Sequence, residues 1–197
     1  MPSGSTTTCS SRTSRRAVLK RGASAGLVPL IGNVNNTSPT LSVGLYASDS
    51  VADAQELNYA ARVVGGVLSD TLATDVSVGP ERVVESVPSG TGLQYTAEWW
   101  ARNNDTDHDA AVLFVPYEDR MENTGYANEY GEPACVVSLY TPPRSAYTTW
   151  ITLHEIGHAL GATHNDASTA TIMNHLWRNV DPRNLRYSKQ SAAQMRP

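Results

Sequence analysis

The sequence contains little cysteine, little lysine and no long hydrophobic run. Only two of its 197 residues are cysteines, Cys9 and Cys135. Cys135 lies in an apolar run at 134–137, which is typical of a core residue and gives no support to a cysteine nucleophile. A folded domain of about 155 residues after the N-terminal leader is large enough to form a core without disulfides.

Hydropathy and charge argue against a membrane-spanning protein and against a nucleic-acid-binding protein. The apolar stretch at 22–31 is too short to span a membrane and contains glycine and proline. All 19 acidic residues follow position 48, whereas five of the 15 basic residues lie in the first 21 positions. The chain after the leader therefore carries a net charge of −9, from ten basic and 19 acidic residues, which argues against nucleic acid as a partner.

Residues 1–35 predict an export signal and a linker. They are rich in serine and threonine, and Arg15 and Arg16 precede the weakly apolar stretch. This order resembles a twin-arginine signal, which implies secretion. A disordered basic arm is the alternative. The folded domain is predicted at 41–197.

The most informative segment runs from His154 to His164. His154 and His158 are four residues apart, so on a helix both rings leave the same face and can reach one metal ion. Gly161 can adopt the positive φ that ends a helix, which would let His164 return as a third ligand. Apolar residues at 150–160 recur at helical spacing, which predicts a buried helix.

Three histidines without a fourth protein ligand are the ligand set of a catalytic zinc site. The fourth position then stays open for water, whose pKa zinc lowers to about 7. Glu155 would lie beside the metal and act as general base toward that water. The alternative is a pair of polar histidines on an ordinary helix.

The segment from His154 to His164 resembles the extended zinc motif of the metzincin clan of endopeptidases. Metzincins also place a methionine-containing turn beneath the metal, and Met173 follows His164 by nine residues. This short link is most similar to that of matrixins. The resemblance implies a zinc endopeptidase domain at 41–197, with Met173 as a packed floor under the site.

The resemblance also implies an α+β fold of the zincin type. Such a fold has a mixed twisted sheet, a long backing helix, an active-site helix and a small C-terminal subdomain. The hydrophobic pattern agrees with it. It predicts strands at 41–46, 75–78, 82–87, 110–117 and 134–140, and helices across 50–72 and 188–195.

A substrate-binding edge is implied by the same resemblance. The tyrosine-rich stretch before the last strand would form an exposed edge strand, with backbone contacts from Tyr126 to Asn128. A plain surface loop is the alternative. His175 occupies a position at which astacins and serralysins carry a tyrosine. It could contact the metal or a transition-state oxyanion, but a solvent-exposed turn histidine is the favoured interpretation.

A calcium site has weaker support. Asp105, Asp107 and Asp109 alternate as in a cation-binding loop, but the glycine and the later glutamate of an EF-hand are missing. A solvated turn is the favoured interpretation.

Together these features predict a secreted, monomeric, zinc-dependent endopeptidase that acts on proteins or peptides through a metal-activated water. Two alternatives stay open. The first is a catalytically silent zinc-binding module, against which the retained Glu155 argues. The second is a hydrolase of non-protein amide bonds.

Overall fold

A computed structural model describes residues 40–51, 54–104, 107–117, 124–127, 132–139, 145–164, 171–175 and 180–195. The strands are β1 (Leu41–Ser48), β2 (Val76–Val84), β3 (Ala110–Pro116), β4 (Gly125–Ala127) and β5 (Ala134–Leu139). The helices are α1 (Ala54–Leu72), α2 (Leu93–Asn103), α3 (Ser145–Ala159) and α4 (Lys189–Gln194). The strands form one sheet in the order β2-β1-β3-β5-β4. Because β4 alone runs antiparallel to its neighbour, the sheet is mixed, as predicted.

The central strands are apolar on both faces because helices cover both faces of the sheet. Along β3, Val112 and Phe114 pack on the side of α1 and α3, whereas Leu113 packs on the side of α2. The same alternation along β1 and β5 gives two hydrophobic clusters, one on each side of the sheet. This arrangement confirms the predicted α+β fold with a long backing helix.

The long backing helix α1 follows the predicted apolar spacing. Leu57, Ala60, Val64 and Leu68 recur at three and four residues, and all of them are buried. They pack on the cluster shared with α3. One face of the sheet therefore supports both α1 and the helix that carries the zinc motif.

The predicted break between strands at 75–78 and 82–87 is wrong, because β2 is one strand. Its pairing with β1 shifts register after Pro80, so that Leu45 pairs with Pro80 and Ala47 with Val83. A proline is tolerated at such a bulge on an edge strand, where its missing N–H costs no ladder bond. The Gly79-Pro80 pair is therefore a bulge inside a strand, although its sequence is typical of a turn.

Helix α2 was not expected from the sequence. Leu93, Ala97 and Trp100 lie on its buried side, and the Trp100 indole N–H donates a 3.0 Å hydrogen bond to the Ala111 carbonyl. This helix covers the second face of the sheet, so the fold has three layers. The predicted short C-terminal helix is present as α4.

Two other expectations concern single side chains and membrane association. Cys135 is fully buried in β5, as predicted, and burial raises the pKa of its thiol. In the segment that was considered as a calcium site, the Asp109 carboxylate accepts hydrogen bonds of 2.9 and 3.2 Å from the Ser42 backbone N–H and hydroxyl. Asp105, in the same segment, lies outside the described residues. Among the helices in the described ranges, none combines the length and apolarity that a membrane span requires.

Candidate metal centre

Helix α3 carries the first two histidines on a rigid, buried element. Each residue from 148 to 160 is buried, so the helix is surrounded by protein along most of its length. Trp150, near its start, donates from its indole N–H to the Ile172 carbonyl at 3.0 Å. His154 and His158 therefore leave a helix whose position is fixed by packing on the sheet and on the segment at 171–175.

The end of α3 redirects the chain toward the site. Gly161 has a φ of 102°, the left-handed conformation that the sequence predicted. Its N–H donates to the His158 carbonyl at 2.9 Å, and the Ala162 N–H donates to the Gly157 carbonyl at 2.8 Å. This pair of bonds is the Schellman motif. The chain turns here, and His164 comes back to face the two helical histidines.

The Nε2 atoms of the three histidines converge. The distances are 2.8 Å between His154 and His164, 3.0 Å between His158 and His164, and 3.2 Å between His154 and His158. Tetrahedral zinc, with Zn–N distances of about 2.0–2.1 Å, places ligand nitrogens roughly 3.3 Å apart. The observed spacing is within a few tenths of an ångström of that value, so the donor set fits one zinc ion.

Backbone carbonyls orient two of the three rings. The Nδ1–H of His154 donates to the Ile172 carbonyl, and that of His158 donates to the Ala162 carbonyl, both at 2.8 Å. A carbonyl can only accept, so the proton stays on Nδ1 and the Nε2 lone pair is available to a metal. Burial lowers the pKa of His154 to about 3 and that of His158 to about 4, against the smaller opposing effect of these bonds. Both rings are therefore neutral at pH 7, as metal ligation requires.

Met173 packs against α3 at Gly157, in the turn that the sequence predicted. The turn is closed by a 3.1 Å bond from the Asn174 N–H to the Thr171 carbonyl, and Met173 is fully buried. A Cβ atom built on Gly157 would lie 2.5 Å from the Met173 sulfur. The glycine between the two helical histidines therefore lets the methionine approach the helix backbone directly.

Glu155 lies between α3 and the edge strand β4. Burial raises the pKa of its carboxyl group from 4.5 to about 8, and a hydrogen bond from the backbone N–H of Ala127 partly opposes that shift. A Cβ atom on Gly125 would lie 2.5 Å from Glu155 Oε1, so β4 can cover the carboxylate only because residue 125 is a glycine. The arrangement provides a buried carboxyl group that can hold or release a proton near neutral pH.

A sequence model of the matrixin family matches residues 76–196, which include the whole site. This chain belongs to the matrixin family. Matrixins are zinc metallopeptidases, and the three-histidine group of this member fits the zinc ion of that family.

Solved structures show the same fold. The archaemetzincin of Methanopyrus kandleri matches this matrixin with a TM-score of 0.60 and 15% identity, over 85% of this chain and 96% of that one. Metalloproteinase-II of Bacteroides fragilis matches with a TM-score of 0.57 and 19% identity, over 79% of this chain. The match covers 52%, about half, of the length of the Bacteroides protein. A search of curated proteins returns no match.

The predicted substrate-binding residues have different positions in this matrixin. Tyr126 lies in β4, paired with Val136, and its half-buried side chain packs on the α2 side of the sheet. Gly125–Ala127 thus form an edge strand and not a plain loop. His175 is exposed, with its ring centre 6.3 Å from that of His164. Asn128 lies outside the described residues.

Several residues that shape the site were not expected from the sequence. Gly125 and Gly157 each admit a close neighbour, but a lone glycine gives no such signal before the neighbour is known. Tyr187 is buried, and its hydroxyl donates to the Leu153 carbonyl just before the first histidine. The Gln194 side chain accepts a hydrogen bond from the Thr163 N–H, just before His164. These contacts come from the C-terminal segment, and no local pattern connects them with the zinc motif.

Proposed function

We propose that this matrixin is a secreted, zinc-dependent endopeptidase that cleaves extended peptide segments bound along β4. The convergence of three imidazole nitrogens within 3.2 Å of one another carries this proposal. The buried carboxyl group of Glu155, the residue after His154, and membership in the matrixin family support the same reaction.

The zinc ion would be held by His154, His158 and His164. Bound there, it would polarise a peptide carbonyl and activate a water molecule. The carbonyl partners on Nδ1 of the two helical rings keep both Nε2 atoms directed at one point.

Glu155 would move the proton. Its carboxylate accepts a proton from the attacking water at a carboxylate oxygen and passes it to the leaving amine, so that one group is first base and then acid. The pKa of about 8 suits both steps near neutral pH, because neither protonation state is strongly disfavoured. The Ala127 N–H holds the carboxylate against β4 during the exchange.

The substrate would extend the sheet. Strand β4 is last in the strand order and pairs with β5 on one side, so an extended peptide can add along its other edge. A peptide bound in this way runs past Glu155 in both directions, which favours cleavage within a chain over removal of terminal residues.

Export would depend on the leader. The order of Arg15 and Arg16 before the apolar stretch at 22–31 supports a twin-arginine signal, although this part of the chain lies outside the described residues. Replacing both arginines with lysine should leave the protein inside a host that has twin-arginine export, whereas the native chain should appear in the medium. Equal export of both chains would contradict the proposal.

The reaction is tested with unfolded casein and the full chain. We expect internal cleavage that stops in chelator and returns with zinc. Glu155→Gln keeps the size of the side chain but cannot take up the proton, so kcat should fall by about 10²–10⁴ while one zinc per chain is retained. Zinc binding without cleavage of any protein substrate would favour the silent module or the hydrolase of other amides.

A further inference from the structure

His164 is the histidine that α3 does not position. It follows Gly161 by three residues and is exposed, whereas His154 and His158 are buried in the helix. Its Nε2 nevertheless lies 2.8 and 3.0 Å from theirs. The short path from Gly161 to His164 must therefore be held in place by contacts outside α3.

Gln194 makes those contacts from helix α4. Its Oε1 accepts a 3.1 Å hydrogen bond from the Thr163 backbone N–H, and its Nε2 donates to the Thr163 hydroxyl at 3.3 Å. The backbone carbonyl oxygen of Gln194 lies close to Gly161, since a Cβ atom built on that glycine would be 3.2 Å from it. Gln194 thus lies next to Gly161, where the turn begins, and forms two hydrogen bonds with Thr163, the residue directly before His164.

The segment that leads into α4 is fixed to the same helix that carries the other two histidines. The Tyr187 hydroxyl donates to the Leu153 carbonyl, and the Tyr187 ring lies against Gly157. The Arg186 carbonyl accepts a 2.9 Å bond from the Ile172 N–H, next to Met173. Through Gln194, this segment therefore fixes the position of the His164 loop relative to α3.

Residues at both ends of α4 fix the position of this helix. Ser188 caps the helix by accepting a 3.0 Å bond from the Ser191 N–H, and Ser191 is fully buried. Met195, the residue after Gln194, is buried in the main core. Both ends of this short helix are anchored, so the Gln194 amide has a defined position.

We propose that Gln194 is a positioning residue of the zinc site, which holds Thr163 so that His164 stays within reach of the metal. The inference rests on the proposed zinc-dependent function. Without the amide, the loop would sample other arrangements, and part of the binding free energy of zinc would be spent on ordering it. Outer contacts of this kind typically change metal affinity by about 10–100-fold.

The test compares three variants of the full chain. Gln194→Met keeps the length of the side chain but removes both hydrogen bonds. Gln194→Glu keeps two acceptor oxygens, which can bind the Thr163 N–H and hydroxyl. Gln190→Met is the matched control, because Gln190 is exposed on the same helix. The readouts are the zinc Kd by chelator competition, the visible absorption of the cobalt-loaded protein and the unfolding midpoint without metal.

We expect Gln194→Met to raise the zinc Kd by about 10-fold or more and to weaken the cobalt bands, as a site that loses its third histidine should. Gln194→Glu and Gln190→Met should stay within about threefold of the native chain. A role in folding alone would lower the metal-free midpoint and leave the spectrum of the folded protein unchanged, which would overturn the proposal.

Two further outcomes are distinguishable. If Gln194→Met binds zinc as tightly as Gln190→Met, the positioning role is wrong while the zinc site stands. If the native chain binds no zinc, the proposed function is wrong as well. Should Gln194→Met not fold, Gln194→Asn shortens the side chain by one methylene group and draws its amide away from both Thr163 atoms, and an unchanged Kd in that variant would also overturn the inference.

Discussion

Gly125 in β4 is the position at which one added methyl group should disturb catalysis without touching the metal ligands. A Cβ atom there would lie 2.5 Å from Glu155 Oε1, 2.7 Å from Glu155 Cγ and 2.7 Å from Ile151 Cγ1. All three distances are shorter than carbon atoms tolerate. Ile151 and Glu155 are both buried, and two of the three contacts, including the shortest, involve Glu155, so we expect Gly125→Ala to displace the Glu155 carboxylate.

The size of the effect follows from these distances. Restoring ordinary contact requires Glu155 to shift by about 1 Å, and a misplacement of that size at a reacting group costs about 100-fold in rate. Overpacking should also lower the free energy of unfolding by about 1–3 kcal/mol. Zinc affinity should stay within about threefold, because the three atoms nearest to the new methyl group belong to Glu155 and Ile151 and not to the histidines.

The assay measures kcat for an internally quenched peptide, with zinc content determined on the same samples. Gly79→Ala is the matched control, since Gly79 lies in strand β2 and a Cβ atom there meets nothing within 4 Å. Its kcat should equal that of the native chain. If Gly125→Ala folds, holds one zinc and keeps kcat within about threefold, Glu155 does not act from the position that the structure gives it.

Other predictions concern stability. Gly157→Ala should lower the free energy of unfolding by about 1–2 kcal/mol, because the contact with Met173 outweighs the gain of about 1 kcal/mol in helix propensity. Gly66→Ala, whose Cβ meets nothing within 4 Å, should raise it by about 0.5–1 kcal/mol, and urea unfolding that ranks the two variants in the opposite order would contradict the packing argument. Without metal, the free energy of unfolding should fall as the pH drops from about 6.5 toward 4, since the unfolded chain takes up protons that buried His154 and His158, with pKa values of about 3 and 4, do not. Glu155 acts in the opposite direction, because its folded carboxyl group, with a pKa of about 8, stays protonated while that of the unfolded chain ionises above about 4.5. Below about pH 6.5 this effect only partly offsets that of the two histidines, and from about 6.5 to 8 the free energy of unfolding should fall as the pH rises. Glu155→Gln should remove that alkaline loss in urea titrations, and an unchanged loss in this variant would contradict the raised pKa.

The zinc site could be predicted from the sequence because its information is local. His154 and His158 share one helical face, and Gly161 ends that helix in the conformation expected of it. Helix α1 could also be predicted from the sequence, since its apolar residues recur at helical spacing over 19 residues. Where one element determines the geometry, spacing alone is sufficient.

The remaining features depend on distant contacts or on context. Gly79 and Pro80 are typical of a turn, but pairing with β1 keeps them in a strand. Helix α2 carries its buried residues Leu93, Ala97 and Trp100 at helical spacing, and it is the context of the sheet face that makes this short segment a helix. The contact of Gln194 with Thr163 joins residues 31 positions apart, and only the folded chain shows it.

The central claim is that one zinc ion at the three histidines drives peptide hydrolysis. The most direct measurement adds zinc in steps to the metal-free full chain and follows the cleavage of casein at each step. Activity should rise in proportion to added zinc and stop rising at one equivalent per chain, and His164→Ala should remove that break. Cleavage that is unaffected by zinc, or no cleavage at one bound equivalent, would contradict the account.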